Sequence, residues 1–288
     1  MNFNLKQALT YFLKDDKLIK KSFILFLFVF MSNFLISESV LKNTNTSGIF
    51  ICALITIFSE IILQGFFPYF VHNKIINFES KIPEWSEIFK FIKIGFKRFI
   101  GSLTLLIIFL LPILLLCLVF FASIPKDSSL IQKNLLLYLS LIILFFIFLL
   151  IYFILTFLVL YAADMAFISD LKLKSYFNFK KIKIILIDNF SFSVKYILIL
   201  IFALIIMFCI AILIFLFPAM IFGGLMVFNV ISEYLGNYIL DFIYSFIISI
   251  FTVWFLYFMC DIASQFLRSV LKIDNFIKNE QDNNEGDI

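Results

Sequence analysis

Six long apolar runs constrain this chain more than any other feature. They cover residues 22–41, 49–71, 99–122, 135–168, 196–217 and 238–263. Roughly 20 apolar residues carry a helix across a ~30 Å hydrocarbon layer, and each run approaches or exceeds that length. A water-soluble fold of 288 residues lacks the polar surface to cover such runs, because only 15% of the chain is charged and 63% is hydrophobic. No run alternates with the two-residue period of a strand, which argues against a β-barrel. Pro112 and Pro218 fall within or beside the runs, where membrane helices tolerate proline. The expected fold is all-α, an integral membrane bundle of six transmembrane helices.

The basic residues set the orientation. Twenty lysines and arginines lie before the first run, between the second and third, between the fourth and fifth, or after the sixth. Only Lys42, Lys126 and Lys133 lie on the other side. Positive loops normally stay cytoplasmic, so both termini are expected inside, in a multi-pass protein of the plasma membrane. The first run has no A-x-A site after it and reads as a retained span. Residues 273–288 are acidic and almost free of apolar side chains, as expected of a disordered tail.

Three basic stretches on the lysine-rich side share one pattern. Leu5, Ala8 and Leu9 recur at helical spacing beside Lys6. Trp85, Ile88, Phe89 and Ile92 recur beside Lys90 and Lys93, and Phe179, Ile182 and Ile185 beside Lys180, Lys181 and Lys183. An apolar stripe opposite lysines suits a helix lying in the headgroup plane, with Trp85, Lys90, Lys93, Lys180 and Lys181 as interfacial anchors. Three amphipathic interfacial helices are therefore expected around residues 3–18, 85–96 and 177–187. One polytopic domain would then span residues 1–272, written as helix–span–span three times, in units of about 1–76, 77–174 and 175–272.

Polar residues inside the spans are few. Glu60 and Gln64 stand four residues apart in the second run, and Asp261 and Gln265 repeat that spacing in the sixth, so each pair shares a helix face. Asp164 occupies a similar place in the fourth. Intramembrane acids are costly and normally face a bundle interior or water, which makes these five residues the candidate polar site. Catalytic chemistry has little to use. His72 is the single histidine, and Cys52, Cys117, Cys209 and Cys260 lie in four different runs without a C-x-x-C. Neither a metal site nor a cofactor is expected. A net charge of +4 is too small to point to nucleic acid.

Several segments carry a resemblance. Residues 9–21 read LTYFLKDDKLIKK, 65–76 GFFPYFVHNKII, 82–96 IPEWSEIFKFIKIGF, 176–182 YFNFKKI and 262–268 IASQFLR. Their order and spacing over about residues 5–272 resemble the prokaryotic membrane family named domain of unknown function 4013. That family has a D-x-K-x-x-K start, a G-Y turn, an L-P-x-W segment, an A-F-x-F-x-x-I segment and a late G-Q-x-x-R. Pro83-Glu84-Trp85 is the most specific element. The chain departs where Phe66 stands for the tyrosine, Ile82 for the leucine and Ser264 for the glycine. The resemblance implies a polytopic membrane fold and assigns no activity.

These features together point to a non-enzymatic membrane scaffold or assembly factor. Its expected partners are the bilayer, with anionic lipid at the cytoplasmic leaflet, and a further membrane protein. The alternative is a transporter with a polar site between spans two and six. The topology predicts that reporter fusions after Asp127 and Glu233 read outside, and fusions after Lys81 and Lys180 read inside; reversal at two of these sites refutes it.

Overall fold

A computed structural model describes residues 3–10, 13, 15–42, 44–77, 80–123, 135–228 and 230–271. The tail expected to be disordered lies outside these residues. Among them the structure is helical, without strands. In order come α1 (Leu5–Thr10), α2 (Leu18–Leu35), α3 (Glu38–Lys42), α4 (Thr46–Ile76), α5 (Ile88–Ser123), α6 (Leu135–Asp170), α7 (Phe179–Lys183), α8 (Phe190–Val227) and α9 (Glu233–Leu271). Helices α2, α4, α5, α6, α8 and α9 are long and apolar enough to cross a membrane. At ~1.5 Å per residue, the 39 residues of α9 extend about 58 Å, so the longest helices project well past the lipid.

Local chemistry explains several helix ends. The Asn45 side chain accepts from the Gly48 N–H at 2.8 Å and caps α4. Helix α6 ends where Leu171 takes a left-handed φ of 54°, a conformation that costs a branched side chain about 1 kcal/mol. The Asn178 side chain caps α7, and a π-helical turn, Ile184–Asp188, follows it before Asn189 separates it from α8.

The middle amphipathic stretch departs from the expectation of a separate helix. One 3-10 turn, Trp85–Glu87, leads straight into α5, which is unbroken to Ser123. Nothing between Phe89 and Phe99 breaks a helix, since lysine is a good helix former and Gly95 alone costs only about 1 kcal/mol. Helix α8 continues through Pro218 to Val227. The third stretch does form its own helical element, and the first forms α1.

The chain divides into two compact units, residues 1–97 with 189–288 and residues 98–188. In the first, α9 packs against α2, α4 and α8. Phe26, Phe30 and Phe34 of α2 meet Phe246, Phe242 and Tyr238 of α9 edge to face, with centroids 5.2–5.5 Å apart. The partner numbers fall as those of α2 rise, so the two helices run antiparallel. Helices α4 and α5 touch backbone to backbone: a methyl group on Gly65 would overlap the Phe91 carbonyl, and one on Gly95 the Ile61 carbonyl. Small residues permit this approach where lipid supplies no hydrophobic drive between helices. In the second unit, the buried stretch is residues 165–168 with Ala162 and Ala163, at the end of α6, around Tyr176. The most apolar window of α6 has no buried residue, as suits a helix whose solvent is hydrocarbon.

Gly65→Ala should lower stability in detergent by about 2 kcal/mol, because helix backbones must part to admit the methyl group. Gly224→Ala, with nothing within 4 Å of the added atom, should be neutral or stabilising. Equal melting temperatures for the two variants refute the close crossing.

Candidate functional site: ion-paired acids

Four acids, Asp15 and Asp261 in the first unit and Asp164 and Asp170 in the second, collect the donors around them. Asp261 of α9 forms an ion pair with Lys74 of α4, and both side chains are 0% exposed. Its second oxygen accepts from Gln265 Nε2 at 2.6 Å. Gln265 in turn accepts the Asn4 N–H at 2.8 Å through Oε1, which holds the start of α1 on α9. Aromatic rings reinforce that join, with Phe3 stacked on Phe192 at 4.6 Å and Phe192 on Phe266 at 5.5 Å. One turn beyond, Arg268 donates to the Ile75 carbonyl near the end of α4 at 3.3 Å.

Asp15 organises the approach to α2. It accepts from Lys21 Nζ at 2.9 Å, from the Lys17 N–H at 2.9 Å and from the Ile82 N–H at 3.1 Å. Lys21 also donates to the Ile82 carbonyl, and Trp85 Nε1 donates to the Lys21 carbonyl at 2.9 Å. Burial pushes the Asp15 carboxyl up, but the Lys21 ammonium and the backbone donors outweigh it and hold the group below its ordinary value. The Asp15 carboxyl is therefore charged at neutral pH.

In the second unit Arg98 grips Asp164 with two parallel hydrogen bonds, Nε to Oδ1 at 2.8 Å and Nη2 to Oδ2 at 2.7 Å. The Tyr176 hydroxyl donates to the same carboxylate at 2.9 Å. Burial, followed by the charge of Asp164, raises the Tyr176 hydroxyl above its ordinary value, so it remains a donor. Its ring lies against Phe167, in the space that Gly101 leaves open. Asp170 accepts from Ser175 Oγ at 2.6 Å and from Lys181 Nζ at 2.7 Å.

The structure thus brings Asp261 and Gln265 together, and places Asp164 with Arg98. Glu60 is exposed on α4, fourteen residues before Lys74 and about 21 Å from it along the helix; Gln64, half-buried, is about 15 Å from it. Neither reaches the Lys74–Asp261 pair. Trp85 is half-buried and stacked on Phe66 at 5.6 Å. Lys90 is exposed and paired with Glu87 at 2.6 Å, while Lys93 and Lys180 are exposed. Lys181 is turned inward to Asp170.

Sequence reasoning missed Lys74, Arg98, Tyr176, Asp15 and Lys21. The first two served only to count positive charge. Both lie just outside the apolar runs, in the last turn of α4 and directly before residue 99, so the pattern of runs carried no signal of their ion pairs. Among the described residues no three of histidine, cysteine, aspartate and glutamate gather as a metal ion would require.

The fold and this charge arrangement define a multi-pass, all-helical membrane protein. The chain belongs to the family described as Protein of unknown function (DUF4013), whose pattern matches residues 48–219. No curated protein and no solved structure matches it.

Asp261→Asn should destabilise the protein by about 3–5 kcal/mol, because Lys74 is left as an uncompensated buried charge. Adding Lys74→Met to that variant should recover most of the loss, read as a double-mutant cycle of melting temperatures. Additive losses in the cycle refute the pair.

Proposed function

We propose that this protein is a non-enzymatic scaffold or assembly factor of the cell membrane, with both termini in the cytoplasm, organising lipid or partner proteins at the cytoplasmic leaflet. One observation carries this reading: two of the three span acids, Asp164 and Asp261, are engaged by bases of the same chain. Asp261 neutralises Lys74 with no exposed surface, and Asp164 is shared between Arg98 and Tyr176. A carboxylate that compensates a fixed buried charge is not free to bind and release a passing ion, since its removal would strand that charge. The placement of 20 of the 23 basic residues on one side supports the orientation.

A transporter is the second reading, and Glu60 favours it. This carboxyl stands exposed in the middle of α4, outside both charge networks. Purified wild type and Glu60→Gln are compared in liposomes for proton and cation flux against empty vesicles. The scaffold reading expects no flux above the empty vesicles from either. Flux in the wild type that vanishes in Glu60→Gln establishes the transporter instead.

A further inference from the structure

We propose that the basic, aromatic segment from Lys172 to Ile187 binds anionic headgroups of the bilayer that α6 crosses. The proposal deepens the scaffold reading and rests on it. The chain leaves α6 through the left-handed Leu171, so the segment starts four residues past residue 168, where the apolar run of that span ends.

Its inward side is fully committed. Asp170 binds the Lys172 N–H, Ser175 and Lys181. Tyr176 is 1% exposed, and Ile182 and Ile185 are buried. These contacts fix the segment as a platform and decide what remains outside. Lys172, Lys174, Lys180 and Lys183 are exposed, and none of the four has an ion pair with an acid among the described residues. Between them stand Phe179, 78% exposed, and Ile187, 64% exposed. Phe179, Lys180, Lys183 and Ile187 are exposed while Ile182 and Ile185 are buried, so the two sets face away from each other. The acid on this outer surface is Asp188, at its far end.

Large apolar side chains mixed with lysines on one exposed face gain nothing from water. At the boundary of headgroups and acyl chains both kinds are satisfied: Phe179 and Ile187 enter the apolar layer, and the lysines meet phosphate. An acidic soluble protein would match the charge but not the outward phenylalanine beside a span end. The basic stretch of α5 also shows an exposed phenylalanine, Phe89, but one of its exposed lysines, Lys90, is already paired with Glu87.

The full chain is reconstituted in vesicles of phosphatidylcholine mixed with phosphatidylglycerol, extracted in mild detergent, and the retained lipids are counted by native mass spectrometry. Wild type should retain phosphatidylglycerol in preference. Each lysine near an anionic surface contributes about fivefold, so the triple variant Lys174→Gln, Lys180→Gln, Lys183→Gln should lose at least about tenfold of that preference. The same three positions as arginine should keep it, and Lys90→Gln with Lys93→Gln should cost less of it than the triple variant does. An absent preference in wild type, an undiminished one in the triple variant, or displacement of the lipid by inorganic phosphate overturns the proposal. Ion flux through the same vesicles tests the scaffold reading separately, because a lipid-binding platform and a pore give independent signals.

Discussion

A lysine and an aspartate without exposed surface face each other where α4 meets α9, and the first unit is organised around that pair. Withdrawing two charges from water costs several kcal/mol for each, and their attraction offsets this only when neither can turn away. The pair therefore acts mainly on register. Sliding α9 by one residue would rotate Asp261 by about 100° and leave Lys74 unmatched. Once that register is set, Gln265 is placed one turn on, with Asn4 against it, so the position of α1 follows from the same carboxylate.

The docking contacts before the odd-numbered spans follow one rule. Each segment is held by the even-numbered span that precedes it in the chain. Glu87 accepts from Tyr69 of α4 at 2.9 Å, ahead of α5. Tyr176 and Lys181 are held by Asp164 and Asp170 of α6, ahead of α8. The first segment docks instead on the sixth span, through Asn4 and Gln265. The residues differ at each place, but the physical device is the same: a polar group of a span hydrogen-bonds the segment docked on it, where water is scarce and a hydrogen bond is hard to exchange.

Burial is uneven along the helices for a related reason. The fully buried side chains gather where charges must be covered, among them Phe66, Phe70 and Lys74 on α4 and Cys260 to Ala263 on α9. Farther along, α5, α6 and α8 show rows of exposed leucine, isoleucine and phenylalanine. Hydrocarbon is as good a solvent for those side chains as a protein interior, so no packing drive closes the helices there. Tight contact persists at sites that have their own cause, such as the glycine crossing of α4 and α5.

The sequence alone determined the all-helical class, the six spans and the asymmetry of charge, because each depends on local composition and on the period of one helix. Pairing was beyond it. Lys74 and Asp261 are 187 residues apart, and helical periodicity states which face a residue occupies but not what that face meets. The i, i+4 pattern of Asp261 and Gln265 was legible and belongs to one network; the same pattern at Glu60 and Gln64 was equally legible and falls far along α4 from Lys74. Only the tertiary structure separates them, since the depth at which two helices cross depends on glycines and on a charge pair contributed by distant parts of the chain. For the same reason Lys180 and Lys181, adjacent and identical in type, differ in role: Asp170 turns Lys181 inward, while Lys180 is left facing out.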